Sequence, residues 1–540
     1  KAIDTVNTVL VVDVKGSLQT DSVRYVSTNI PVTRLLAYDA VQQGNGFAFG
    51  DGKTNRYYVE GWKSKEQSLS WNFRTAAPQD FKLVIKYLAP KETAGGMYAF
   101  SLDQNYSQHY VITDEKNTTA ITRDLGTLPL APGIHHLKIA PLELGQSELM
   151  KLLEIDLIPI DTSKISYLRI MVDALDQTTY MLRNIESLKS KQPGLVSPRT
   201  LDSMQLKLVS SRDWASGFFP GELWLLYEET KKDYWKTQAE NFTANIEREK
   251  TNGGTHDMGF KVYCSFGQGY RLTKDAHYKE VIIQSAKTLS TRFNPKVGVI
   301  RSWDHHKEQW DYPVIIDNMM NLELLFEATK LSGDSSFYKI AVSHANATMK
   351  NHYRSDYSSY HVVDYDTATG GVRKKQTAQG YADESAWARG QAWGLYGFTM
   401  CYRETKDKKY LDQAEHIASF ILHHPNLPKD LIPYWDFNAP NIPNEPRDAS
   451  AAAVIASGLF ELSSYSKNKN EYRKIADKIV ENLTKSYRSP IGEDKGFLLL
   501  HSTGSKPANS EVDVPLVYAD YYYLEALLRM KKLNEGKKLF

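Results

Sequence analysis

Cysteine is nearly absent from this 540-residue chain: Cys264 and Cys401 are the only two, too few for a disulfide framework or a thiolate zinc cluster. Both fall in stretches that read as helices, where a small buried hydrophobe is the simplest role. Charge of one sign is not in excess either. The 66 Lys+Arg against 64 Asp+Glu leave +2 at pH 7, which excludes a polybasic nucleic-acid or membrane-surface binder while leaving room for a locally basic pocket. No run of 18 apolar residues occurs, so no spanning helix is expected. The sequence opens at Lys1 without Met or an apolar h-region, and any secretory signal is expected to have been removed already. What is present is 41% hydrophobic and 11% aromatic composition, ample for a large core. The length suits two or three domains, or one large toroid with an accessory module.

Residues 1–160 alternate apolar and polar side chains over short stretches, at 8–14, 68–74, 81–88, 108–113 and 136–140, separated by turn formers such as Asp51-Gly52 and Ala131-Pro132-Gly133. That pattern predicts an all-β sandwich. Over 165–540 the period becomes 3.6, and twelve helices are predicted, starting near Ser166, Ser216, Asp233, Met258, His277, Ile316, Phe337, Ser385, Lys408, Ala449, Glu471 and Val517. Stretches 233–249, 337–352, 408–423 and 471–487 are charged and amphipathic, as in helices with one face in water. The alternating set opens on Gly, Ala, Ser, Trp and Tyr with few charges, as buried helices do. Six outer-inner hairpins of roughly 60 residues predict an all-α (α/α)6 barrel, a six-hairpin toroid. The alternative is an open solenoid; the absence of a shared repeat consensus speaks against it.

The unusual polar residues gather at the starts of the inner helices: Asp213-Trp214, His256-Asp257, Asp317-Asn318, the block 379–393, Asp448 and Asp513. Aromatic faces stack on sugar rings while carboxylates and amides bind hydroxyls, so the inventory suits a saccharide pocket. Asp213, Asp448 and Asp513 are most simply helix N-caps. Asp257 and Asp317 could be caps too, but a second carboxylate nearby and burial would let such a pair hold a proton near neutral pH.

At these residues the sequence resembles the unsaturated glucuronyl hydrolases, family 88 of the glycoside hydrolases. The resemblance spans about 166–535 and rests on W-x-S-G-F-x-P-G at 214–221, T-H-D-M-G-F at 255–260, I-I-D-N-M-M-N at 315–321, Q-G-Y-x-D-E-S-x-W-A-R-G-Q-A-W at 379–393, R-D-A-S-A at 447–451 and D-V-P-L-V-Y-A-D-Y-Y at 513–522. It implies an enzyme that removes a 4,5-unsaturated uronic acid from the non-reducing end of lyase-generated oligosaccharides, with no cofactor or metal. Asp317 would be the general acid and base and Asp257 its partner. Trp214, His256, His361, Gln379, Trp387, Arg389 and Trp393 would line the pocket, with Trp214 and Trp393 stacking on the sugar and Arg389 and Gln379 at the uronate end. Members acting on sulfated fragments carry a Ser/Ser/Lys cluster, which Ser502, Ser505 and Lys506 resemble with one residue fewer between the second Ser and the Lys; an ordinary solvated loop is the alternative.

The family core does not include the N-terminal sandwich, for which a glycan-binding module and a structural domain are the two readings. Trp62, Trp71, Tyr57 and Tyr58 could stack on sugars, but alternating aromatics in strands favour the structural role. Multidomain enzymes of this kind in bacterial glycan degradation point to a periplasmic address. Two rivals remain for the whole chain: a family 105 enzyme acting on unsaturated rhamnogalacturonan or ulvan fragments, and a catalytically silent glycan-binding protein.

Overall fold

The computed structural model describes residues 23–26, 32–53, 56–75, 79–114, 120–159, 167–189, 192, 194–489 and 492–540. The strand expected at 8–14 lies outside them. The chain divides into two compact units, Lys1–Ile165 and Ser166–Phe540.

In the first unit two six-stranded sheets are built around Ser68–Thr75 and Gly133–Glu143 in one, and Gln79–Leu88 and Lys151–Pro159 in the other. The period-2 alternation explains the layering. Phe81, Leu83, Ile85 and Tyr87 of one strand all point into a single core with Phe73, Leu137, Ile139 and Leu157. Trp62 and Trp71 are buried in that core, so these two tryptophans act structurally.

The second unit is helical. Its outer helices are α1 (Tyr167–Lys189), α3 (Asp233–Ala244), α5 (Ala276–Ser290), α7 (Ser335–Asn351), α9 (Lys408–His423) and α11 (Lys469–Ser486). Its inner helices are α2 (Phe218–Thr230), a π-helix at Gly259–Gly267 running into α4 (Gln268–Thr273), α6 (Leu322–Ser332), α8 (Ala388–Thr405), α10 (Ala449–Leu462) and α12 (Val517–Asn534). Every residue of α10 is buried, whereas α11 buries one stripe, the contrast expected of inner and outer helices. Each inner helix packs on the next and α12 returns to α2. The helices form an (α/α)6 barrel and not an open solenoid. Cys264 and Cys401 are buried and free. Among the described residues no helix is long and apolar enough to cross a membrane.

The starts of the inner helices converge on one end of the ring. Asp448 caps α10 by accepting from Ser450 and Ala451 N–H, and Asp213 accepts from Ala215 N–H while pairing with Arg199. Asp513 does not cap α12. It lies in the strand Ser510–Val514 and pairs with His501 Nδ1 at 2.7 Å, because a strand rather than a loop leads into that helix.

Candidate active site

Two neighbouring turns carry the two carboxylates. Asp257 sits in the lead-in to the π-helix, and Asp317 in a 3-10 turn, Ile316–Asn321, that opens onto α6. The turns are fastened by Asn321, whose Oδ1 accepts from Gly259 N–H (2.8 Å) and Phe260 N–H (3.2 Å). Gly259 is required for this approach: a Cβ there would lie 2.6 Å from Asn321 Cα.

Asp317 is buried, and its Oδ2 has no hydrogen-bond partner. Burial pushes its carboxyl up to about 7, with the charge of Asp257 adding and Arg389 and the Trp393 indole opposing. Asp257 is more open. Its Oδ2 accepts from Thr255 Oγ1 at 2.6 Å, and its Oδ1 lies 3.2 Å from His256 Nε2. Burial lowers the His256 pKa, with Asp257 opposing.

His361 immediately precedes a strand, Val362–Tyr365, that pairs with the strand leading to Asp317, Tyr312–Ile315. Its Nδ1 accepts from the backbone N–H groups of Ala378 and Gln379 at 3.0 and 3.1 Å. Burial first, then Arg389, His352 and His256, push its pKa down to about 3. It is therefore a neutral ring whose Nε2–H faces Asp317 Oδ2 at 3.7 Å. Trp387 packs on that ring, 4.6 Å between centroids, and on the Arg389 guanidinium.

The structure redefines two expected roles. Trp393 is fully buried against Phe260 and Tyr522; it presents an N–H to the site and has no face free to stack. Arg389 is also buried, and it is tied to Asp448 (2.7 Å) and to the carbonyls of Thr503 and Gly504 (both 2.6 Å). Gln379 Nε2 reaches the same Gly504 carbonyl at 3.1 Å. Arg389 and Gln379 thus hold the hairpin of Ser502–Ser505 and Ser510–Val514 against the site. In that hairpin Ser502 is buried and its Oγ accepts from Ser450 N–H, while Ser505 and Lys506 are half-buried at the turn. Trp214 is half-buried, with Tyr518 tilted against it at 4.9 Å and the Arg199 guanidinium over its ring at 5.2 Å.

Two residues of this region were not singled out by residue pattern. Tyr518 has a buried hydroxyl without a partner, beneath Arg389 and beside Trp214; it lies inside the 513–522 motif. Trp303 packs against Trp310, Ile315 and Val362, the neighbours of Asp317 and His361 in sequence, with its Nε1 unpartnered and His305 stacked on it. Unpaired buried donors and acceptors converge here, at Asp317, His361, Trp393 and Tyr518, as in a pocket built to take a polyhydroxylated ligand.

The helical unit is similar to known proteins. The family model described as Glycosyl Hydrolase Family 88 matches residues 196–539. The chain is 55% identical over 327 residues to an unsaturated glucuronyl hydrolase of Formosa agariphila, covering 60% of this chain and 82% of that one. It is 33% identical over 367 residues to an unsaturated chondroitin disaccharide hydrolase of Streptococcus pneumoniae, covering 66% and 91%. Among solved structures, an unsaturated glucuronyl hydrolase specific for heparin is 47% identical with a TM-score of 0.64, covering 67% of this chain and 98% of that chain. The Bacillus sp. GL1 enzyme, described as responsible for glycosaminoglycan degradation, is 29% identical with a TM-score of 0.63, covering 69% and 97%. The barrel of this chain belongs to Glycosyl Hydrolase Family 88, and the protein is a glycoside hydrolase with an additional N-terminal β-sandwich.

Proposed function

We propose that this enzyme removes a 4,5-unsaturated uronic acid from the non-reducing end of glycosaminoglycan fragments left by lyases, by hydrating the C4=C5 bond. The observation that carries the reading is Asp317: a buried carboxyl near 7 with one free oxygen, able to hold a proton at neutral pH and deliver it. Protonation at C4 leaves positive charge shared between C5 and the ring oxygen. Water then adds at C5 and returns its proton to the Asp317 carboxylate. The hemiketal so formed opens by breaking the bond between C5 and the ring oxygen, giving a ketone. The hemiacetal left at C1 collapses to an aldehyde and releases the rest of the sugar. No carboxylate acts as nucleophile, so the carboxyl spacing that separates retaining from inverting glycosidases does not apply.

The substrate class is supported by what similar proteins are named for: unsaturated glucuronides, chondroitin disaccharides and heparin. Lys506 and Ser505, half-buried at the hairpin turn, suit a sulfate on the leaving sugar. Ser502 has its oxygen committed to Ser450 N–H, and contributes through its hydroxyl proton alone.

The test is incubation with lyase-generated chondroitin, heparin and hyaluronan disaccharides, following the ultraviolet absorbance of the conjugated enoate. Loss of absorbance that vanishes in Asp317→Asn supports the reaction; an unchanged signal with every disaccharide overturns it. Lys506→Ala should lose more activity on a sulfated disaccharide than on its unsulfated counterpart, and equal losses would remove Lys506 from the site.

A further inference from the structure

His361 is oriented by an exposed loop. The neutral ring turns Nε2–H toward Asp317 because Nδ1 is taken up by the N–H groups of Ala378 and Gln379, at 3.0 and 3.1 Å. Those two amides stand at the start of a segment, 377–386, that forms neither helix nor strand. Ala378, Tyr381, Ala382, Asp383 and Glu384 are exposed along it. A segment with so little apolar burial opens easily unless polar bonds hold it.

A fully buried acid from further along the chain, Asp436, supplies that hold. Its Oδ2 accepts from Tyr381 N–H at 2.9 Å and from Ser385 Oγ at 2.6 Å, and its Oδ1 accepts from Asn438 N–H at 2.8 Å. Burial pushes the Asp436 carboxyl upward, and these three bonds oppose that. Asp436 is itself pinned to the lead-in of α8. Trp387 and Asp436 pair as an antiparallel bridge, Phe437 N–H donates to the Ala386 carbonyl at 2.9 Å, and Ala388 N–H donates to the Trp435 carbonyl at 3.1 Å. Bonds inside the loop carry the hold back toward His361. Thr377 N–H donates to Asp383 Oδ1 at 2.9 Å, Gly380 N–H to Thr377 Oγ1 at 2.7 Å, and Ala382 N–H to Ser385 Oγ at 3.0 Å. Gly380 lets the loop close on Asp436: a Cβ there would lie 2.6 Å from Thr377 Oγ1 and 3.1 Å from Asp436 Oδ2. Arg354 holds the outer side, at the carbonyls of Asp383 (2.9 Å) and Ser385 (3.3 Å).

We propose that Asp436 is a positioning residue: by seating the 377–385 loop it sets the Ala378 and Gln379 amides on His361 Nδ1, and so keeps Nε2–H toward Asp317. This rests on the proposed reaction, in which that N–H favours the Asp317 carboxylate once its proton has gone to carbon. The place calls for a carboxylate. A carboxamide has one oxygen, so its NH2 would face either Tyr381 N–H or Asn438 N–H, donor against donor. With the loop released, Nδ1 loses its two donors and the Nδ1–H tautomer becomes accessible. That tautomer turns a lone pair toward Asp317, which favours the protonated carboxyl over the carboxylate.

Nitrogen-15 NMR of the full chain labelled at histidine reads the tautomer without substrate, with His361 identified by the signals lost in His361→Leu. The unsubstituted protein should show Nε2 protonated and Nδ1 bare. In Asp436→Asn the Nδ1–H form should appear, kcat should fall about 10-fold, and the alkaline limb of kcat against pH should move upward. Ser385→Ala removes one donor and leaves Asp436 in place, and should produce the same changes to a smaller degree even where Asp436→Asn folds poorly. A merely structural role would lower the melting temperature and leave the tautomer and the pH profile where they were. That result in Ser385→Ala, and in Asp436→Asn where it folds, overturns the proposal, as does Nδ1–H in the unsubstituted protein. A protein with the expected tautomers that leaves every unsaturated disaccharide intact counts against the proposed reaction and not against this placement.

Discussion

His361 Nε2 stands 3.7 Å from Asp317 Oδ2, and the ring has only an N–H to present there, since its other nitrogen accepts two backbone donors. At that distance the contact is a dipole aimed at a carboxylate and not yet a hydrogen bond. It strengthens whenever Asp317 becomes charged. That arrangement suits the acid of the proposed reaction, which gives up its proton to carbon and recovers it from water.

Asp317→Asn should reduce turnover about 10²- to 10⁴-fold, the usual worth of a positioned acid-base group. The same change should stabilise the fold. The carboxyl is raised to about 7 in the folded protein and is near 4 when unfolded, so between those values the folded state binds more protons and stability falls as pH rises. The melting temperature of the Asn variant should match the parent near pH 4 and exceed it above pH 7. Identical pH dependence in the two proteins would show that Asp317 is not a buried proton holder.

If Asp317 is the acid of the proposed reaction, activity should decline as pH rises through about 7, where its carboxyl loses its proton. His361→Leu should lower kcat about 10- to 100-fold, the worth of one hydrogen bond to a charged group. It should also move the alkaline limb upward, because a donor that favours the carboxylate has been removed. A pH profile unchanged in position would place His361 outside the electrostatics of the site.

The twelve helices are legible in the sequence because inner and outer members differ in composition as well as period. The lone carboxylates at their starts, Asp257 and Asp317, follow from motifs that leave little room for a solvated role. What periodicity misses is anything set by a partner distant in the chain. Nine residues of π-helix at Gly259–Gly267 look like ordinary helix to a 3.6-residue pattern. Trp393 is read as a stacking platform until Phe260 and Tyr522 are seen to cover it. Asn318 is one polar residue in a motif, and its fixed orientation depends on Ile300 and His344.

Arg389 offers a further discrimination between anchoring and substrate binding. Its guanidinium is buried against Asp448 and two carbonyls of the 502–514 hairpin. Arg389→Leu leaves Asp448 buried without its cation and should cost about 3–5 kcal/mol in denaturant unfolding. A loss of activity with stability unchanged would instead mean that the guanidinium's main partner is the substrate.

Glu222 on α2 and Asp520 on α12 form a second buried acidic pair, outside the site. Burial pushes both upward, Asp520 to about 8 despite two backbone donors from Leu498 and Leu499, and Glu222 further by the charge of Asp520 despite a bond from Thr178. Unfolded, both titrate near 4. Over roughly pH 4 to 8 the folded barrel therefore binds more protons than the unfolded chain, and it loses stability as pH rises. Glu222→Gln keeps an acceptor for Thr178 and adds a donor that can face Asp520, so the repulsion disappears without a cavity. Its melting temperature should equal that of the parent near pH 4 and exceed it by about 2 °C or more at pH 8. Parallel melting curves across that range would mean that the acids at the α2–α12 seam that closes the ring do not hold their protons above the ordinary carboxyl range.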